Sequence, residues 1–174
     1  MQYLMRVVGS GDCALFYYVN NKVKCGILDK LMPFITSLGG ATFTVLSCFI
    51  LMLWGENELK LAASRASIAL ATSFSIGYFL KKIFSRPRPY QVLPGAHTGA
   101  KVFKDYAFPS GHTTAGFSLA VSYALVYPSL TVPLVLSAVL VGISRIYLGQ
   151  HYPTDVLAGG LLGTLTAVIT NIVL

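Results

Sequence analysis

The sequence predicts an all-α integral membrane bundle, with about five transmembrane helices and an N-terminal helix lying in the interface. Three observations predict it. Hydrophobic residues make up 55% of the 174 residues and charged residues 11%, where soluble domains carry about 25% charged residues. Five apolar runs of near bilayer length follow one another from residue 32 onward, and 18 or more apolar residues in succession suit a membrane helix. The first thirty residues, by contrast, alternate apolar, aromatic and basic types. The length fits one domain, here 1–174, with an interfacial segment at 1–30 and a transmembrane bundle at 31–174.

Residues 1–30 hold Leu4, Val7, Phe16, Tyr17 and Tyr18 beside Lys22, Lys24, Asp29 and Lys30. No uncharged stretch there is long enough to cross, so aromatics at headgroup depth and lysines on phosphates are expected. Residues 32–54 are uncharged and end on Trp54. At 1.5 Å per residue they would reach about 34 Å as one helix, enough for a core of about 30 Å. Gly39 and Gly40 within that run let a neighbour approach closely. A second span is expected at 61–80, with Arg65 snorkelling near its start. Residues 83–109 then form a long loop containing Pro87, Pro89, Pro94 and Pro109, and a connection of that length is usually functional. Further spans are expected at 110–127, 131–148 and 154–174, the last capped by Thr154. Gly159 and Gly163 on it form a helix-packing pair.

The alternation of these spans puts the long loop, the start of the third span, the end of the fourth and the start of the fifth on one membrane face, with the N-terminal segment. That face carries all of the thirteen Lys and Arg residues except Lys60 and Arg65. The net charge of +7 suits anionic headgroups or an anionic substrate. Nucleic acid is excluded as a partner because there is no soluble basic face to hold it. Cys13, Cys25 and Cys48 lack metal-ligand spacing; free thiols are expected, with a Cys13–Cys25 pair open only in an oxidising compartment. No cleavable leader is evident at the N-terminus, so the first span would act as the insertion signal.

Three polar clusters fall on that face. Polar groups beside bilayer-depth helices are costly, which makes a cluster of them a functional candidate. His151 and Asp155 are four apart across a helix start, so a carboxylate can hold one imidazole nitrogen and leave the other as base or nucleophile. Pro153 suits that start. Taken alone, Asp155 would equally serve the helix dipole and His151 a turn. Ser110, Gly111 and His112 open a helix, whose free N–H groups attract an anion. Ser110 would cap that helix or bind a phosphate oxygen, and His112 is placed to act as a general acid. Lys81, Arg88 and Arg145 are the cations expected on a phosphate. Lys82, Arg86, Lys101 and Lys104 are read as ordinary headgroup-facing charges, and His97 as a loop residue. No His, Cys or carboxylate cluster suggests a metal, and no cofactor is expected. Metal-free phosphoryl transfer through a histidine is the reaction that fits.

The three clusters can be written K-x6-R-P (Lys81, Arg88, Pro89), P-S-G-H (Pro109 to His112) and S-R-x5-H-x3-D (Ser144, Arg145, His151, Asp155). In this form they resemble the tripartite signature of the type 2 phosphatidic acid phosphatase superfamily, in order and without departure. The resemblance implies a membrane lipid phosphatase. It implies His151 as nucleophile forming a phosphohistidine, Asp155 orienting it, and His112 protonating the leaving oxygen. Lys81, Arg88, Ser110, Gly111 and Arg145 would bind the phosphate. Members commonly have six spans, and this chain has an interfacial segment where the extra one would lie. Undecaprenyl diphosphate is the expected substrate; phosphatidate, phosphatidylglycerophosphate and lipid A phosphate are alternatives. Vanadate-dependent haloperoxidases share a similar constellation on soluble proteins, and a degenerate lipid-phosphate binder is the non-enzymatic rival. The charge count alone would put the site in the cytoplasm; the resemblance implies the outer face of the cell membrane.

Overall fold

The structure is a computed structural model and describes residues 2–99 and 102–174, with the side chains of residues 2–8 left out of the description. Its elements are helical throughout: α1 (Gln2–Tyr17), α2 (Gly26–Ser37), α3 (Ala41–Trp54), α4 (Asn57–Phe84), the one-turn α5 (Pro89–Val92), α6 (Gly111–Val126), α7 (Thr131–Tyr147) and α8 (Pro153–Val173). A π-helical turn (Tyr18–Lys22) follows α1, and a 3-10 turn (Pro128–Leu130) leads into α7. The all-helical membrane class expected from composition stands.

The single helix expected over 32–54 is not formed. The chain breaks at Leu38, Gly39 and Gly40, and α2 and α3 meet at a 49° bend. Glycine is what lets the break pack so closely. An ideal Cβ on Gly39 would stand 2.6 Å from the His112 carbonyl oxygen and 2.6 Å from Val141 Cγ1. Only a residue without a side chain lets the break press against the start of α6 and the middle of α7.

Among the described residues, two helical stretches are by themselves long and apolar enough to cross a membrane: Pro128–Tyr147 and Pro153–Val173. The bent α2–α3 pair makes a third if counted as one span. Of the five expected crossings, the other two correspond to α4 and α6. Helix α4 is longer than expected, 28 residues, so Lys81 and Lys82 sit in its last turn. Helix α6 has 16 residues, about 24 Å at the standard rise.

Helices α4, α6 and α8 pack together at the centre. On α8, an ideal Cβ at Gly159 would meet Ser110 O at 2.6 Å, and one at Gly163 would fall closer still to Thr114 O. The glycine pair therefore brings α8 into backbone contact with α6, as its spacing predicts. This contact lays the first turn of α8 beside the start of α6, where Ser110 N–H donates to Asp155 O at 3.0 Å. Within the bundle, Ser73 and Ser118 share a hydroxyl bond of 3.1 Å, a polar tie of the kind worth about 0.6 kcal/mol between membrane helices. Cys48, Ala62, Ala63, Ala66, Leu119 and Tyr123 form a core where α3, α4 and α6 meet.

The N-terminal segment is docked on this bundle. Phe16 is fully buried, its ring 5.9 Å from that of Tyr152. Asn20, also fully buried, donates to Tyr147 O and His97 O, both at 2.8 Å, and accepts from His97 N–H at 2.7 Å. One amide thus ties the π-helical turn to the long loop and to the end of α7. Cys13, Cys25 and Cys48 are free thiols, with Cys25 exposed and Cys48 buried.

Candidate active site

Helix α7 ends at Tyr147, and Gly149, with φ +72°, turns the chain toward His151. Pro153 opens α8 one residue after Tyr152. Tyr152, not Thr154, is the capping position: its N–H donates to Asp155 Oδ2 at 2.8 Å. Asp155 is fully buried, and its Oδ2 lies 3.6 Å from His151 Nδ1.

On the other side of the ring, Arg88 Nη1 lies 3.1 Å from His151 Nε2. A guanidinium only donates, so Nε2 presents its lone pair there and the imidazole proton sits on Nδ1, facing Asp155. Burial first, and then the charges of Arg145, Arg88 and Lys81, hold the His151 pKa well below its ordinary value of 6.5. That direction favours the neutral ring, the form in which an imidazole nitrogen can act as base or nucleophile.

Arg88 is held on every side. Its Nε donates to Asp105 O at 3.0 Å, Nη1 to Gln150 O at 3.0 Å and Nη2 to Asp105 Oδ1 at 2.6 Å. Asp105 also pairs with Lys81 Nζ at 2.9 Å. Partial burial works to raise the Asp105 pKa, but Lys81 and Arg88 together outweigh it and the net direction is downward. Arg145 differs. Only Nη1 has a partner, Thr36 Oγ1 at 2.9 Å, while Nε and Nη2 are buried without one. A buried, half-satisfied guanidinium is costly, and its two free donors match a phosphate edge. The Arg88 and Arg145 guanidinium carbons lie 4.9 and 5.3 Å from the Phe103 ring centre, which sets both planes.

Lys81, Arg88, Arg145, Gly111, His112 and His151 all line one cavity of about 900 Å³. An ideal Cβ on Gly111 would meet nothing within 4 Å, so backbone forms the wall there. His112 is half-buried beside the α2–α3 break and meets the Phe103 ring edge-on at 6.2 Å. Ser110 is different: fully buried and absent from the cavity wall, its Oγ accepts from Thr113 Oγ1 at 2.9 Å. It occupies the capping position of α6 without a side-chain capping bond. From the cations, the cavity runs between α3 and α4 past Thr44, Cys48, Phe49, Met52, Ser67, Ala71 and Phe74. It joins a cationic end to an apolar trough.

Two residues in contact with the site escape sequence reasoning. Asp105 bridges Lys81 and Arg88, and a carboxylate in so basic a loop was the available signal. Arg86, expected among the headgroups, instead donates to Asp155 Oδ1 at 2.8 Å, Thr154 Oγ1 at 2.7 Å and Asp12 Oδ2 at 2.6 Å. A buried carboxylate needs a partner charge, and Arg86 is the one within reach. Lys82, also expected among the headgroups, is exposed with its ammonium 4.5 Å from the Tyr78 ring centre, but it lines the same cavity as Lys81. Lys104 is exposed. Lys101 falls outside the described residues.

Comparison with known proteins gives consistent matches. A model described as PAP2 superfamily matches residues 62–174. The chain is 34% identical over 133 residues to the undecaprenyl-diphosphatase BcrC of Bacillus subtilis, covering 75% of this chain and 67% of that one. Among solved structures, Aquifex aeolicus LpxE superposes with a TM-score of 0.80 at 26% identity, covering 92% of this chain and 94% of the other. A PAP2-type phosphatidylglycerolphosphate phosphatase of Bacillus subtilis superposes with a TM-score of 0.79 at 28% identity, covering 96% and 86%.

Proposed function

The chain belongs to the PAP2 superfamily, and from that premise we propose that it is a membrane phosphatase removing the terminal phosphate of undecaprenyl diphosphate to leave undecaprenyl phosphate. One observation carries the reading: Lys81, Arg88, Arg145, His112 and His151 share one end of a cavity whose other end is an apolar trough between α3 and α4. The cationic end suits a phosphate and the trough a hydrocarbon chain.

In this reading the terminal phosphoryl group lies on Arg145 Nε and Nη2, on Lys81 and Arg88, and on the backbone at Gly111. Arg88 turns the hydrogen bond of its Nη1–H from His151 Nε2 to a phosphate oxygen, keeping its proton, which frees the Nε2 lone pair. Nε2 then attacks phosphorus, and the bond to the bridging oxygen breaks. His112 protonates that oxygen, and undecaprenyl phosphate leaves. Asp155 accepts the hydrogen bond of Nδ1–H and stabilises the positive ring that forms. In the second half His112 takes a proton from water, the hydroxide attacks the phosphohistidine, and inorganic phosphate is released with His151 restored. The charge of the transferring group is met by three cations and a helix N-terminus, which supplies the stabilisation such reactions need. No metal or cofactor is invoked. Ser110 acts through the backbone of its turn.

The diphosphate substrate is favoured by the likeness to an undecaprenyl-diphosphatase. Phosphatidylglycerophosphate is the second reading, favoured by the superposition on a phosphatase of that lipid over 96% of this chain. Phosphate release from purified protein, given polyprenyl diphosphate, phosphatidylglycerophosphate, phosphatidate and lipid A in parallel, separates these readings. A His151→Ala variant that released phosphate as fast as the parent would refute the histidine mechanism and leave a lipid binder or a different chemistry. Vanadate-dependent halide oxidation is the corresponding test for the haloperoxidase alternative.

The lipid enters sideways, from the bilayer into the trough between α3 and α4. Substituting Ala71, which lines the trough, by Trp is expected to raise KM for the lipid substrate and leave hydrolysis of a short-chain diphosphate unchanged. Equal effects on both would remove the trough from the reading. The site faces the outer side of the cell membrane.

A further inference from the structure

Asp12, on α1, is far along the chain from the three sequence clusters, yet it is 5% exposed and both carboxylate oxygens accept hydrogen bonds from residues within them or beside them. Its Oδ1 accepts the backbone N–H of Thr154 at 2.9 Å. Its Oδ2 accepts from Thr154 Oγ1 and from Arg86 Nη2, both at 2.6 Å. Thr154 is the second residue of α8, so its N–H is one of the donors that a helix leaves unpaired. Asp12 satisfies that donor from a different element, and its charge complements the positive end of α8.

Arg86 passes this anchoring on to the reacting group. One arm of its fork is held by Asp12, and the other donates to Asp155 Oδ1 at 2.8 Å. Its guanidinium carbon sits 3.9 Å from the Tyr152 ring centre, so its plane is fixed. The carboxylate of Asp155 is thus gripped at both oxygens: Arg86 takes Oδ1, while the Tyr152 N–H takes Oδ2, the oxygen that faces His151 Nδ1. Rotation of that carboxylate would withdraw Oδ2 from the ring. The loss of one oxygen's partner is what would permit it.

Two independent features show that this arrangement is built. Arg86 and Asp12 are 74 residues apart in the chain, so no local geometry explains their meeting. Burial of Asp12 would also be costly without a full set of partners. Asp12, Arg86, Asp155 and His151 form one chain of contacts, running from the N-terminal helix to the nucleophile.

We propose that Asp12, acting through Arg86, is a positioning residue for the histidine step, so that docking of α1 on the head of α8 sets the orientation of Asp155 against His151. The inference rests on the phosphohistidine reading above. Neither Asp12 nor Arg86 lines the cavity, so their contribution belongs to the chemical step and not to phosphate binding.

The test compares Asp12→Asn, Arg86→Gln, the double variant and His151→Ala in detergent micelles. It measures kcat and KM for the lipid substrate and the inhibition constant of inorganic phosphate. Each single variant is expected to lower kcat about tenfold to a hundredfold, with KM and phosphate inhibition within about twofold of the parent. Because Asp12 acts through Arg86, the double variant is expected to be no slower than Arg86→Gln alone. Parental phosphate inhibition also shows that a variant is folded. If Asp12→Asn or Arg86→Gln loses that inhibition, Arg86→Lys carries the test: it keeps the charge but not the fork, and a reduced kcat is still expected. Parental kcat in these folded variants, a loss confined to KM, or fully additive losses in the double variant would overturn the proposal. Activity surviving in His151→Ala would instead overturn the reading on which it rests.

Discussion

His151 Nδ1 stands 3.6 Å from Asp155 Oδ2, just beyond hydrogen-bond reach, while Nε2 is 3.1 Å from Arg88 Nη1. The imidazole is therefore drawn toward the cation and away from the carboxylate. In the proposed mechanism a phosphate that takes the Arg88 donor reverses this balance, and the Nδ1–H contact shortens as positive charge develops on the ring. Asp155→Asn leaves the shape intact but replaces the charge that stabilises that ring. The expected result is a fall in kcat of about 10² to 10⁴-fold with little change in KM, read from steady-state phosphate release.

The pH dependence follows from the depressed His151 pKa. Burial, and next Arg145, Arg88 and Lys81, keep the ring neutral below its ordinary value of 6.5. The acid limb of kcat/KM that reports this residue is expected below pH 6.5. The same shift affects stability. The unfolded chain binds a proton near pH 6.5 and the folded site does not, so the stability from this residue is full above pH 6.5 and is lost as pH falls. One proton corresponds to about 1.4 kcal/mol per pH unit. Thermal unfolding between pH 7 and pH 5 is expected to fall less steeply in His151→Gln than in the parent; identical slopes would contradict the shift.

Arg145 offers two unpartnered donors, Nε and Nη2. Lysine keeps the charge but cannot reproduce a planar fork. Hydrogen bonds to charged groups are worth about 1.5–3 kcal/mol each, so Arg145→Lys is expected to weaken inorganic phosphate inhibition by at least about tenfold. Inhibition constants for phosphate check this directly, and an unchanged constant would take Arg145 out of the phosphate cradle.

Much of the site was legible because its chemistry is local. The four-residue step from His151 to Asp155 across Pro153 fixes their common side, and the Gly159 and Gly163 spacing announces a close helix contact. What could not be read depends on distant partners or on direction. Arg86 looked like a headgroup cation because its carboxylates, Asp12 and Asp155, come from helices far along the chain. Hydropathy over 32–54 records burial and not the axis, so it gives no sign of a bend; Gly39 is the close-packing position its residue type predicts, and with Leu38 and Gly40 it is also where the helix breaks. The motif offers Ser110 as helix cap or phosphate ligand; in the fold its Oγ accepts from Thr113 Oγ1, and the neighbouring Gly111 lines the cavity.

The glycine pair on α8 gives a packing prediction. A methyl group at Gly163 would collide with the backbone at Thr114 O and, at 2.9 Å, at Ser118 N. Backbone cannot move aside as a side-chain tip can, so α8 must shift away from α6. Overpacking of this kind costs about 1–3 kcal/mol. Gly163→Ala is expected to lower the thermal midpoint in detergent, and to lower kcat because the Ser110–Asp155 backbone bond that aligns the two helix starts is stretched. Ala at Gly111, where nothing lies within 4 Å, is expected to leave the midpoint unchanged.

The side of the membrane on which the site opens can be read from a native thiol. Cys25 is exposed, while Cys48 is buried. Cys25 N and O each lie 3.3 Å from the Tyr147 hydroxyl, and Tyr147 is the last residue of α7, four before His151. Cys25 and His151 are thus on the same face of the bundle, and a label on Cys25 reports the side on which His151 lies. With an outward site, a membrane-impermeant maleimide is expected to modify the protein in intact cells, and Cys25→Ser is expected to remove most of that signal. Modification only after permeabilisation would place the site in the cytoplasm. That outcome would also agree with the concentration of Lys and Arg on this face, so the experiment weighs the positive-inside rule against the demands of a phosphate site. The two arguments differ over the same cations: Lys81, Arg88 and Arg145 are accounted for by the cavity they line, and Arg86 by Asp12 and Asp155. With those four assigned to the site, the remaining charge on this face is a weaker guide to topology, and the outward result is the expected one.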